Sequence, residues 1–165
     1  MAIKAADVKK LRDATGAGMM DAKKALTEAD GDFDKAVDLL RVAGQAKAAK
    51  RSDREAANGL VVGAGNALVQ IGSETDFVAK NADFVATADK IAKAVDAAKA
   101  DSKDAAGQVQ LDDGKTVAQT LEDLAGTIGE QIELADAAYF ESNTHIYLHR
   151  RSQDLPPQVG VMVEY

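Results

Sequence analysis

The sequence predicts an α+β fold: an amino-terminal three-helix module, a connector, and then helices packed on a small antiparallel sheet. Three observations carry that expectation. Apolar residues recur at helical spacing as far as about residue 45; the next stretch is alanine-rich and basic with hardly any large apolar side chain; and beyond it short alternating runs of strand type are interleaved with further helical periodicity. The units expected are therefore 1–45, a connector over 46–58, and an α+β unit over 59–165.

In the first unit, Val8, Leu11 and Ala14 mark one helix, stopped by Gly16, which accepts the left-handed conformation a helix C-terminus often needs. Met19, Ala22, Leu26 and Ala29 mark a second. Asp30-Gly31-Asp32 reads as a turn with Asp32 as N-cap, and Phe33, Ala36, Val37 and Leu40 mark a third helix by their spacing. The connector has too few large apolar groups to build a core and is expected to be helical or flexible. In the second unit, Leu60-Val61-Val62 and Ala67-Leu68-Val69-Gln70-Ile71 form a hairpin turning at Gly63-Ala64-Gly65-Asn66. One long helix is expected from about Asp76 to Lys99, with Phe84, Ala88, Ile91 and Val95 on its buried face. After a loop through Asp112-Asp113-Gly114, Thr116 caps a helix bearing Val117, Leu121, Leu124 and Ala125. Strands are expected at Glu133–Phe140, His145–Arg150 and Gly160–Tyr165, with no long internal repeat.

A chain of 165 residues, 46% hydrophobic and 28% charged, has the composition of a soluble globular protein. No run approaches the roughly 20 apolar residues a membrane span needs, and a cytoplasmic protein with no membrane contact is expected. With no cysteine, disulfides, thiolate catalysis and thiolate zinc sites are excluded. Charge is uneven. Residues 1–54 hold 12 Lys+Arg against 9 Asp+Glu, a balance of +3, and residues 55–165 hold 8 against 18, a balance of −10. Lys47, Lys50, Arg51 and Arg54 cluster, but no aromatic interleaves them for base stacking and the net charge of −7 repels polyanions, so a solvated face is expected and no direct nucleic-acid contact.

Several chemical readings fail on spacing. Gly16-Ala17-Gly18 lacks the third glycine of a dinucleotide loop, Asp21 standing there, and no strand precedes it. His145 and His149 share a face on a strand but lie about 13 Å apart, too far for one ion. The carboxylates Glu74 and Asp76 have no histidine or second pair converging on them in sequence. No catalytic residue, metal ligand or cofactor is assigned.

Two segments remain. Thr75-Asp76-Phe77-Val78-Ala79-Lys80-Asn81 sets an aromatic ring beside a carboxylate where a strand pattern gives way to a helix pattern, in a chain that is only 4% aromatic. The plain reading is a helix start, with Thr75 or Asp76 as N-cap and Phe77 in the local core; the sharper one is a wedge for a partner. Thr15-Gly16-Ala17-Gly18-Met19-Met20-Asp21-Ala22-Lys23-Lys24-Ala25-Leu26 is the other, where helical geometry does not let Met19 and Met20 both face one core, so one is expected outward.

These two segments, in this order and about sixty residues apart, closely resemble the bacterial elongation factor Ts family, and weaker likeness runs from Ile3 to Tyr165. The three-helix module likewise resembles the ubiquitin-associated fold. The resemblance implies a guanine-nucleotide exchange factor that binds elongation factor Tu, GDP-bound and nucleotide-free, without bond-making chemistry. It implies that Thr75, Asp76, Phe77 and Val78 meet the partner's G domain and disturb its Mg²⁺ site, and that Leu11, Arg12, Met19 and Met20 form a docking surface. Because family members are longer and the strand pattern runs to Tyr165, the chain is expected to be an amino-terminal part of such a protein. Two other classes compete. An adaptor binding a ubiquitin-like or helical ligand through the module leaves Asp76-Phe77 unexplained, and a small hydrolase needs a convergent carboxylate pocket.

Overall fold

The computed structural model describes residues 2–165, apart from the side chain of Ala48. The amino-terminal module comprises α1 (Ala5–Thr15), α2 (Met19–Glu28) and α3 (Phe33–Ala49). Val8, Leu11, Ala22, Ala25, Leu26, Ala29 and Ala36 form its small core, with Phe33, Val37, Leu39 and Leu40 packed against it. Ala14, expected in the α1 stripe, is exposed. Local signals act as expected at both turns: Gly16 takes φ +69° and its N–H closes the helix on the Arg12 carbonyl at 2.8 Å, while Asp32 Oδ1 accepts from the Lys35 N–H at 3.0 Å.

The end of α3, where the module runs into the connector, packs closely on the second unit. α3 continues to Ala49, and at Gly44 it meets Gly126 of α7 (Val117–Ile128) backbone to backbone; a Cβ on Gly126 would lie 3.0 Å from Gly44. The scarcity of large side chains is what permits this approach. Beyond the helix, Arg51 donates to the Ala125 carbonyl at 3.5 Å. The basic cluster is thus partly committed within the chain, since Lys47 pairs with Asp21 at 3.0 Å and Arg54 with Glu74 at 3.5 Å.

The second unit is built on a three-stranded antiparallel sheet of β1 (Asn58–Ala64), β2 (Ala67–Ser73) and β3 (Ile132–Tyr139), in that order. The hairpin turn is Gly65-Asn66, with Gly65 at φ +54° and the Asn66 N–H donating to the Asp96 carboxylate at 2.8 Å. Leu60, Val69, Ile71, Ile132 and Leu134 pack with Phe84, Ala88, Ile91 and Val95 of α5 (Ala82–Ala98) and with Val117, Leu121 and Ala125 of α7. Thr116 caps α7 by accepting a hydrogen bond from the Gln119 N–H, and the Gln119 side-chain oxygen in turn accepts one from the Thr116 N–H. A short helix, α6 (Lys103–Gln108), occupies part of what reads in sequence as loop; it buries only Ala106 and so leaves no apolar stripe to detect.

Strands β4 (Thr144–His149) and β5 (Val159–Glu164) lie within one residue of their expected places but pair only with each other. Their two-stranded ribbon covers the opposite face of the β1–β2 hairpin. Val61 N–H reaches the Pro157 carbonyl at 2.8 Å, and Gly160 sits so close to Val61 and Leu68 that a Cβ there would be 2.7 Å and 2.9 Å from their side chains.

The largest departure lies after β2. The single helix expected from Asp76 to Lys99 is two: α4 (Asp76–Ala79), then a break at Lys80-Asn81, then α5. Asn81 forms the break by accepting, through its side chain, the N–H groups of Asp83 at 2.9 Å and Phe84 at 3.1 Å. An unbroken helix would set Phe77 and Phe84, seven residues apart, on the same face. The break separates their fates: Phe84 is buried in the core and Phe77 is exposed.

Candidate functional site

The corner begins where β2 ends. Ser73 is fully buried and its hydroxyl donates to the Thr75 carbonyl at 2.8 Å. Thr75, not Asp76, is the N-cap of α4: its backbone is extended and its Oγ1 accepts from Val78 N–H at 3.5 Å. The same hydroxyl donates to Glu130 Oε1 at 2.6 Å, and Thr75 N–H donates to Glu130 Oε2 at 3.0 Å. Glu130 stands between α7 and β3, after Gly129 has closed α7 in the left-handed region at φ +87°. A second carboxylate crosses in the opposite sense, with Glu74 Oε1 accepting from Gln131 N–H at 2.7 Å, while Asn58 Nδ2 donates to the Glu74 carbonyl at 2.8 Å. Every polar group of Thr75 therefore has a partner.

From this support the chain turns once and alternates between inside and outside. Val78 is buried in the main core, so of the four expected contact residues it is the one turned inward. Thr75 and Asp76 are half-buried. Phe77 is 78% exposed, and one face of its ring is approached by Lys80, whose Nζ lies 5.5 Å from the centroid. A large aromatic left in water on a short helix tied down at both ends has the form of a contact group rather than a core residue.

The expected docking residues divide differently. Leu11 is wholly buried in the module core and cannot itself touch a partner; its place in the α1 stripe with Val8 explains why. Arg12 is half-exposed and bonded to Asp13 at 2.7 Å. Met19 and Met20 are 47% and 76% exposed, so both stand outward where one was expected to turn in. Met19 fits the stripe of Ala22, Leu26 and Ala29 by spacing, but it is the first residue of α2, and the buried part of that helix starts only at Ala22.

Among the described residues no three His, Cys, Asp or Glu side chains converge as a metal site, and no helix is long and apolar enough to cross a membrane. His145 and His149 lie on one strand, with Tyr147 Oη 3.1 Å from His149 Nδ1. Gly114-Lys115-Thr116, overlooked in the sequence reading, has the ending of a phosphate-binding loop, but Val109 occupies the place of its first glycine. Lys115 is bound to Asp123 at 2.7 Å, and Thr116 is the α7 cap.

The sequence profile of the family described as Elongation factor TS matches residues 74–165, more than half of the chain and beginning one residue before the Thr75 corner. The chain belongs to the elongation factor Ts family. It is 75% identical over 165 residues to the elongation factor Ts of Cutibacterium acnes, an alignment covering 100% of this chain and 61% of that relative. It is also 58% identical over 164 residues to that of a Nocardioides species (99% and 60%) and 56% identical over 161 residues to that of Mycolicibacterium gilvum (98% and 59%). The chain spans about 60% of the length of these curated elongation factor Ts relatives. Glu130 is the residue at this corner that sequence reasoning missed. The only signal was a carboxylate just after the Gly129 helix stop, and nothing in sequence ties it to Thr75, 55 residues away.

Proposed function

We propose that the chain is a guanine-nucleotide exchange factor acting on elongation factor Tu during translation elongation, working in the cytoplasm by binding alone. The observation that carries this reading is Phe77, an exposed aromatic on a braced strand-to-helix corner, inside the part of the chain that matches the elongation factor Ts family. In this reading Phe77 enters an apolar pocket of the partner's G domain near the phosphate end of the nucleotide, with Asp76 beside it, and displaces the groups that hold Mg²⁺. The two charges of that ion stabilise bound diphosphate, so disturbing it removes a major electrostatic contribution. Arg12, Met19 and Met20 grip a second surface and raise the effective concentration of the wedge, while Leu11 supports them from the module core. Release then follows from preference for the nucleotide-poor conformation, and GDP must weaken the factor's binding to the same degree.

The test is release of a fluorescent GDP from loaded elongation factor Tu on adding the chain. Faster release that saturates with chain concentration is expected. No acceleration at concentrations where the two proteins bind would overturn the reading.

A further inference from the structure

Phe77 could be exposed in many directions; only one of them fits a pocket. α4 is four residues long and cannot hold its own direction, because a single turn has too few internal hydrogen bonds to resist fraying. Its orientation must come from outside. Downstream, Val78 and Ala79 are buried and Asn81 ends the turn. Upstream, Glu130 ties the turn to the segment between α7 and β3 by taking both donors of Thr75 at 3.0 Å and 2.6 Å. Two hydrogen bonds accepted by one carboxylate fix direction as well as distance, which a single bond does not. The reach is short because Ser73, immediately before the one loop, and Ile132, immediately after the other, are paired neighbours on β2 and β3. Glu74, reaching back to Gln131 N–H at 2.7 Å, makes the brace reciprocal.

We infer that Glu130 is a positioning residue: it orients the Thr75–Ala79 turn so that Phe77 is presented in one direction, and it does not itself enter the partner. The use made of that orientation rests on the function proposed above, whereas the brace itself is testable without a partner. Glu130→Ala removes both acceptors. Thr75→Val removes the hydroxyl from the other side. Glu130→Gln keeps an acceptor for Thr75 N–H but offers an amide donor where the threonine hydroxyl proton needs an acceptor, so it is expected to lie between wild type and Glu130→Ala.

The first measurement is residue-resolved amide hydrogen exchange on the full chain. Glu130→Ala should speed exchange at Thr75, Val78 and Ala79 roughly tenfold or more, with the α5 and β2 amides unchanged. Unchanged rates at those three amides in a folded variant overturn the inference, as does uniform acceleration across α5 and β2. If Glu130→Ala does not fold, Glu130→Gln and Thr75→Val carry the same comparison.

The second measurement is GDP release in a double-mutant cycle. Glu130→Ala should slow exchange roughly three- to tenfold in the wild-type background and leave it unchanged in the Phe77→Ala background, since a residue acting through Phe77 has nothing left to orient. An equal loss in both backgrounds overturns the positioning role. If Phe77→Ala alone leaves release unaltered, the proposed function fails at Phe77, and the hydrogen-exchange result still decides whether Glu130 braces the turn.

Discussion

Replacing Phe77 by alanine separates binding from folding, because the ring is exposed and outside the core. An aromatic side chain buries about 150–250 Å² when covered. With 78% of Phe77 exposed, roughly 120–195 Å² remains for a partner to cover, which at about 25 cal/mol per Å² sets a ceiling near 3–5 kcal/mol. Two deductions apply. Alanine still buries its own methyl, and Lys80 must leave the ring face that it now approaches at 5.5 Å, a contact worth about 0.5–1 kcal/mol at an exposed site. What remains is about 1.5–3 kcal/mol, or roughly a 10- to 150-fold loss in exchange efficiency. Stability should hardly change, by less than about 0.5 kcal/mol and so by no more than about 2 °C in melting temperature. The assay pairs fluorescent GDP release with a thermal melt of the same preparation. Unaltered release refutes the wedge; a large drop in melting temperature would instead place Phe77 in the core in solution.

The remaining predictions concern the rest of the chain. Where α3 crosses α7, Gly126→Ala should destabilise by about 1–3 kcal/mol because its Cβ would press within 3.0 Å of Gly44, whereas Gly44→Ala, with 3.6 Å of clearance, should be neutral or slightly stabilising; equal melting temperatures for the two would refute the close crossing. Replacing Arg12, Met19 and Met20 together by alanine should leave the chain folded by circular dichroism but weaken binding to elongation factor Tu roughly tenfold or more; calorimetry giving equal affinities would show that these three side chains are not used. The carboxyl of Glu164 is held below its ordinary value, first by the Ser142 hydroxyl at 2.6 Å and then by Ser142 N–H at 3.1 Å. A depressed folded value means that this stabilisation is present above the unfolded value, near about 4.3, and is lost as pH falls through the folded one. Glu164→Gln should therefore flatten the acid limb of melting temperature against pH, and an unchanged limb would remove the pairing.

Interactions that act within a turn or two of the chain were legible in the residues alone. The stripes of Val8 and Leu11, of Ala22 and Leu26, and of Phe84, Ala88, Ile91 and Val95 name the buried faces, and Gly16, Asp32 and Thr116 mark helix ends through caps formed with near neighbours. The Gly65-Asn66 turn and all five strands belong to the same class. The two segments that point to the family were also legible, since they are short and contiguous. Direction and exposure were decided by tertiary structure. Periodicity counts Phe77 and Phe84 on one face, yet the Asn81 cap turns the first out; spacing places Met19 in a stripe, yet the helix start that bears it lies outside the module core. Leu11 reads equally well as contact or core until neighbouring helices close over it. The Gly44–Gly126 crossing, the ribbon laid on β1–β2 and the Glu130–Thr75 brace join residues far apart in sequence. Such contacts leave no local pattern, because each exists only once two elements have been packed against a common core.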